Sequence, residues 1–245
     1  MDILLFSNGK ANKEQTLLEY GKEDLFRQIE ENNIKNYLLI PYAVIRDTYE
    51  ARVADLQKTI NNAGLSVKVN SISDFSDPVK AVEECDAIAV SGGNTWYLNK
   101  CLHDFNLIQA IREEVLLRNK PFVGWSAGTN ITAPTILTTN DMPIISSIIT
   151  PSLNFVPFQI NPHYIDSSID GHMGESRDDR IAEFLAKNQY QTVVGLREGS
   201  WLKLNNGKLS YNSFANKKLK IFNYNKEAIE LNVGYDLNFL LKDWY

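Results

Sequence analysis

Cysteine and histidine are scarce in this 245-residue chain, at two and three residues. Cys85 and Cys101 supply neither a disulfide framework nor metal-ligand spacing. They read as buried or half-buried thiols, one ending a helix and one inside the next. No apolar run approaches the roughly 18 residues needed to cross a bilayer, and the opening MDILLFS lacks the basic start and apolar length of a secretory leader. Basic residues are also short: 25 Lys and Arg stand against 30 Asp and Glu, for a net charge of -5. That balance argues against nucleic acid or an anionic membrane as the main partner. A small acidic ligand stays open, because a pair of arginines captures a carboxylate even on an acidic protein. The expectation is a reduced, cytoplasmic, soluble protein. With 44% hydrophobic residues, the chain has enough apolar material for one large domain over residues 1–245.

Short apolar runs alternate with amphipathic stretches. Ile3–Phe6, Tyr37–Ile40, Val67–Ile72, Ala87–Val90 and Pro121–Gly124 read as buried strands. Between them lie a helix over Asp24–Asn32, another over Thr48–Ala63 stopped by Gly64, a third opened by Asp77-Pro78, and two more reaching Asn119. Continuous apolar strands separated by helices predict an α/β fold with a mostly parallel sheet flanked by helices. Ligands of such sheets bind beyond the carboxyl ends of the strands. Thr135–Pro143 and Leu153–Ile160 read as further strands and loops, and Ser176–Lys187 as a helix capped by Ser176. Thr192–Leu196 reads as a strand and Trp201–Tyr211 as a hairpin turning at Asn205-Asn206-Gly207. The C-terminal part is β-rich.

The stretch Gly124-Trp125-Ser126-Ala127-Gly128 follows a strand and precedes a small-residue helix start, the pattern of a nucleophile elbow. A tight turn that merely contains serine is the plainer reading. A serine nucleophile needs a base. His163, in Asn161-Pro162-His163, lies where a strand reaches the rim. His103 reads as a solvated helix residue, and loop-borne His172 as a substrate contact or a loop closure. The base needs a carboxylate to hold its tautomer. Glu198, just past the strand Thr192–Leu196, is the first choice, and Asp141 the contender. Oxyanion donors come from the Ala127 amide and, across the rim, from Gly93 in Ser91-Gly92-Gly93-Asn94-Thr95. Asn94 either caps the following helix or touches substrate.

With these residues assembled, the chain resembles peptidase E, the α-aspartyl dipeptidase family of serine peptidases. The likeness also runs through Pro41-Tyr42-Ala43, Pro134-Thr135-Ile136, Thr139-Asn140-Asp141-Met142-Pro143, Gly174-Glu175-Ser176-Arg177-Asp178 and Gly195-Leu196-Arg197-Glu198-Gly199-Ser200. The resemblance implies a flavodoxin-like fold similar to class I glutamine amidotransferases. It also implies cofactor-free hydrolysis of dipeptides with N-terminal aspartate, with Ser126 as nucleophile and His163 as base. The third triad member falls at either Asp141 or Glu198. Arg177 is the candidate for the substrate's side-chain carboxylate; an ion pair with Asp178, Asp179 or Glu175 is the alternative. The partner expected is a small acidic dipeptide, with the chain acting as monomer or homodimer. Two positions depart from the family pattern: Ser91 replaces a first glycine, and Met173 replaces a lysine. A cyanophycinase-like β-aspartyl peptidase, an esterase and a catalytically silent ligand-binding protein on the same scaffold are the competing readings.

Overall fold

The computed structural model describes residues 1–166 and 174–242. The first half is β1 (Asp2–Phe6), α1 (Lys22–Glu31), β2 (Asn36–Ile40), α2 (Tyr49–Asn62), β3 (Lys68–Ser71), α3 (Pro78–Glu84), β4 (Ala87–Val90), α4 (Thr95–Asp104), α5 (Leu107–Arg112) and β5 (Phe122–Trp125). A π turn over Glu113–Leu117 prolongs α5. The second half is α6 (Ala127–Asn130), β6 (Gln159–Tyr164), α7 (Arg177–Lys187), β7 (Thr192–Arg197), β8 (Ser200–Asn205), β9 (Lys208–Ser213), β10 (Leu219–Asn223) and β11 (Ile229–Leu231). Among the described residues, no helix is long and apolar enough to cross a membrane.

Seven strands form one sheet in the order β3-β2-β4-β5-β1-β8-β9. The five from β3 to β1 are parallel, and the β8–β9 hairpin adds an antiparallel edge beside β1. Every residue of β1, β4 and β5 is buried, as expected for parallel strands covered on both faces. The predicted helix starts hold for chemical reasons. Thr48 accepts the amide of Ala51, Asp77 accepts that of Lys80 ahead of Pro78, and Ser176 forms a reciprocal capping box with Asp179.

The C-terminal strands divide between two sheets. A second one, β11-β10-β7-β6, pairs β6 and β7 in parallel and carries β10 and β11 antiparallel. One apolar cluster runs through both, joining Ile3, Val90 and Phe122 to Ile160, Val194 and Ile221. The strands expected within Thr135–Pro143 and at Leu153 are absent. Four of the chain's eight prolines fall between residues 131 and 158, and proline cannot donate to a strand ladder. This segment folds back on itself instead, with the Leu153 amide bonded to the Ile131 carbonyl and that of Phe155 to Thr132.

Candidate active site

Ser126 sits between β5 and α6 with φ 55° and ψ -115°. A β-carbon makes that region costly, by roughly 1–3 kcal/mol. Surrounding bonds hold it there: the Ser126 amide donates to the Phe6 carbonyl at 3.1 Å, and the Thr129 hydroxyl donates to the same oxygen at 2.7 Å. The flanking glycines serve their neighbours. A β-carbon on Gly128 would lie 2.1 Å from the Val90 carbonyl oxygen of β4, and one on Gly124 would lie 2.3 Å from the Gly128 oxygen. They let α6 press onto the sheet, while the strained conformation stays on the serine itself.

The His163 imidazole joins this serine to a carboxylate. Nε2 lies 2.9 Å from Ser126 Oγ, and Nδ1 lies 2.7 Å from Glu198 Oε1. A carboxylate only accepts, so Nδ1 donates to Glu198 and Nε2 is left to accept the serine proton. His163 interrupts β6 at a bulge between Pro162 and Tyr164, with φ 54°. Glu198 follows the end of β7 directly. The three side chains thus come from two sheets, and Ser7 ties the sheets together. Its buried hydroxyl accepts the His163 amide at 2.9 Å and donates to the Leu196 carbonyl at 2.7 Å. Ser7→Ala leaves that amide without a partner, a loss of about 1–3 kcal/mol. We expect a lowered melting temperature and a weakened kcat, checked by thermal unfolding and steady-state kinetics; an unchanged melting point would refute the tie.

Gly93 closes the rim at φ 146°, where a β-carbon would meet the Ala43 carbonyl oxygen at 2.1 Å. Gly92 packs against Ser126, so that an added β-carbon would lie 2.9 Å from Ser126 Cβ. Neither the Gly93 nor the Ala127 amide is bonded within the described residues, which leaves both free to donate to a ligand. Asn94 is already engaged: its Oδ1 accepts the Tyr97 amide as the cap of α4, and its Nδ2 donates one proton to the Met142 carbonyl.

A cleft of about 190 Å³ beside Ser126 is lined by Thr139, Asn140, Asp141, His163 and Arg177. Asp141 is not bonded to the imidazole. Its Oδ2 accepts the Thr95 amide at 2.7 Å, the Thr95 hydroxyl at 2.6 Å and the Thr139 hydroxyl at 3.1 Å. Arg177 donates to Asn140 Oδ1, and its buried Nε has no partner among the described residues. The three carboxylates considered for it are engaged elsewhere: Asp178 with Lys220 at 2.7 Å, Asp179 with Ser176, and Glu175 with Arg180 at 3.7 Å. Burial, then the nearby Arg180 charge, pulls the Arg177 pKa below the usual guanidinium value. An anionic ligand would relieve both. Of the other histidines, His103 bonds the Pro151 carbonyl at 2.9 Å through Nε2; His172, with Met173, lies outside the described residues.

The model of Peptidase family S51 matches residues 3–211, a span that holds Ser126, His163, Arg177 and Glu198. The chain belongs to peptidase family S51. It is similar to Peptidase E of a Nostoc species, 36% identical over 240 residues that cover 98% of this chain and 96% of that protein. It is likewise similar to Peptidase E of Shewanella baltica, 39% identical over 210 residues, covering 86% of each. Two solved structures share the fold. A peptidase from an acI-B1 Actinobacterium superposes with a TM-score of 0.63 at 16% identity, covering 96% of both chains. A Listeria monocytogenes protein gives a TM-score of 0.61 at 23% identity, covering 86% of this chain and 98% of that one.

Several polar residues of this S51 chain carry no sequence signal for the parts they play at the site. Asn161 donates to the Thr138 carbonyl at 2.8 Å and to Asn140 Oδ1 at 2.6 Å, while Asn140 donates to the Pro162 carbonyl at 2.7 Å. Together they brace the strand bearing His163 against the loop bearing Asp141. Both asparagines stand inside stretches that mark the family, yet their side-chain partners are more than 20 residues away. Asn8 accepts the Gly199 amide at 2.9 Å and so fixes the turn after Glu198.

Proposed function

We propose that this S51 peptidase is a serine dipeptidase that hydrolyses Asp-Xaa through an acyl-enzyme on Ser126. His163 takes the serine proton through Nε2 as Oγ attacks the peptide carbonyl. Glu198 keeps Nδ1 protonated and stabilises the imidazolium. The amides of Ala127 and Gly93 receive the oxyanion, where loss of one donor costs roughly 10²–10³ in turnover. His163 then protonates the leaving amine, and water repeats the cycle on the ester. The Ser126–His163–Glu198 chain at 2.9 and 2.7 Å supports this chemistry. The order Ser-His-Glu along the chain differs from the Ser-acid-His order of α/β-hydrolase esterases.

One observation carries the preference for aspartate. Arg177, with no carboxylate within 4 Å among the described residues, lines the same small cleft as Ser126. Its guanidinium fork matches a carboxylate in geometry and charge. The deciding assay compares α-Asp-Leu, Asn-Leu and β-Asp-Arg. We expect α-Asp-Leu to be cleaved fastest, and Arg177→Met to lower its kcat/KM by about 10²-fold, the scale of a lost charge-assisted bond. Cleavage of β-Asp-Arg alone would overturn the specificity.

A further inference from the structure

We propose that Asp141 binds the α-ammonium group of the substrate's first residue, so that the cleft beside Ser126 reads an N-terminal aspartate from both charged ends. The inference deepens the dipeptidase reading and rests on it. Asp141 Oδ2 is saturated by three donors from Thr95 and Thr139, and the Trp96 indole holds its carbonyl at 3.1 Å. Oδ1 accepts no hydrogen bond among the described residues, and no cationic side chain there lies within 4 Å of the carboxylate. This is a rigid anion with one oxygen to spare.

Anchoring α4 does not call for that charge. Asn94 already caps the helix through the Tyr97 amide, and neutral Asn, Ser or Thr caps as well as Asp does. The cleft also holds Arg177, a cation with no carboxylate partner among the described residues. Asn140, next to Asp141 in the chain, accepts from Arg177 and donates to the Pro162 carbonyl, and Arg177 forms no ion pair with Asp141. An aspartyl residue carries its ammonium and its side chain on the carbon next to the scissile carbonyl. Seating the carboxylate on Arg177 and the ammonium on Asp141 therefore fixes that carbonyl relative to Ser126. The cleft, about 190 Å³, falls below the roughly 300 Å³ where drug-sized pockets begin, and suits one residue. An aspartate preceded by another residue has an uncharged amide nitrogen and gains nothing from Asp141. The site thereby becomes one for free N-termini.

The test compares α-Asp-Leu with its des-amino analogue, succinyl-Leu, in the wild-type enzyme and in Asp141→Asn. We expect wild type to prefer α-Asp-Leu in kcat/KM by roughly 30-fold or more, and the variant to bring that ratio within about threefold of one. Asparagine keeps an acceptor for Thr95, so the loop survives the change. A variant slowed equally on both substrates, with its ratio intact, would make Asp141 a structural or imidazole-orienting residue and overturn the proposal. A wild-type ratio near one would overturn it while leaving the dipeptidase reading in place. If wild type cleaves neither substrate, the dipeptidase reading fails. Calorimetry of L-aspartate against succinate on the wild-type protein then decides Asp141 alone: tighter aspartate binding supports it, and equal affinity defeats it.

Discussion

Ser126→Ala is expected to lower kcat on an Asp-dipeptide by about 10⁵–10⁶-fold while leaving KM within a few-fold of wild type. Two features set the size of the effect. The hydroxyl is the only group on the Nε2 side of His163 among the described hydrogen bonds, so its removal deletes the covalent route rather than weakening it. The proposed oxyanion amides and the Arg177 cleft survive, and on this reading they should sustain a residual rate over water of roughly 10³–10⁴, as in serine hydrolases. Folding should be unaffected, because the hydroxyl bonds only to His163, and alanine keeps the β-carbon that already tolerates φ 55°. Single-turnover kinetics on purified protein, beside a thermal melt, make the measurement. A variant retaining more than about a hundredth of wild-type turnover, a far smaller loss than removing a nucleophile causes, would show that the acyl group is not carried on Ser126.

How far such an outcome could be foreseen depends on the range of each interaction. Strands β1, β4 and β5 are legible because burial on both faces leaves uninterrupted apolar runs. The helix starts at Thr48, Asp77 and Ser176 are legible because the amides these residues accept lie three residues away. The elbow is local too, compressed into five residues. Glu198 ranks ahead of Asp141 in the sequence by its strand-end position alone; which carboxylate meets the imidazole depends on the parallel pairing of β6 with β7, across 35 residues of chain. Ser7 is further out of reach, because its hydroxyl partners lie 156 and 189 residues away. The division of the C-terminal strands into a second sheet is likewise a matter of pairing, to which hydrophobic alternation is blind. In the segment over 131–158, the apolar residues read as strands, but the prolines and the bonds back to Ile131 and Thr132 make it an irregular arm, buried at its two ends and largely exposed between them.

Glu198→Gln is expected to cost about 10³–10⁴ in kcat with little change in KM, because it acts on the tautomer of His163 and not on substrate. Glutamine fits the same space, but its amide NH₂ can donate to Nδ1. The imidazole proton then moves to Nε2, where it blocks acceptance from Ser126. In the proposed mechanism the carboxylate also offsets the positive charge that grows on the ring as Oγ attacks, and the neutral amide would not. Exposure limits the loss: the Glu198 side chain is 48% exposed and that of His163 40% exposed, so water shares in solvating the imidazolium and the amide is free to flip. Asp141→Asn provides the internal contrast, since it should change the ratio between substrates that have and lack the ammonium, whereas Glu198→Gln should slow both alike. If Glu198→Gln instead loses less than about tenfold in kcat while Asp141→Asn loses thousands on either substrate, a magnitude that belongs to a triad acid, then the carboxylate that orients His163 during the reaction is Asp141.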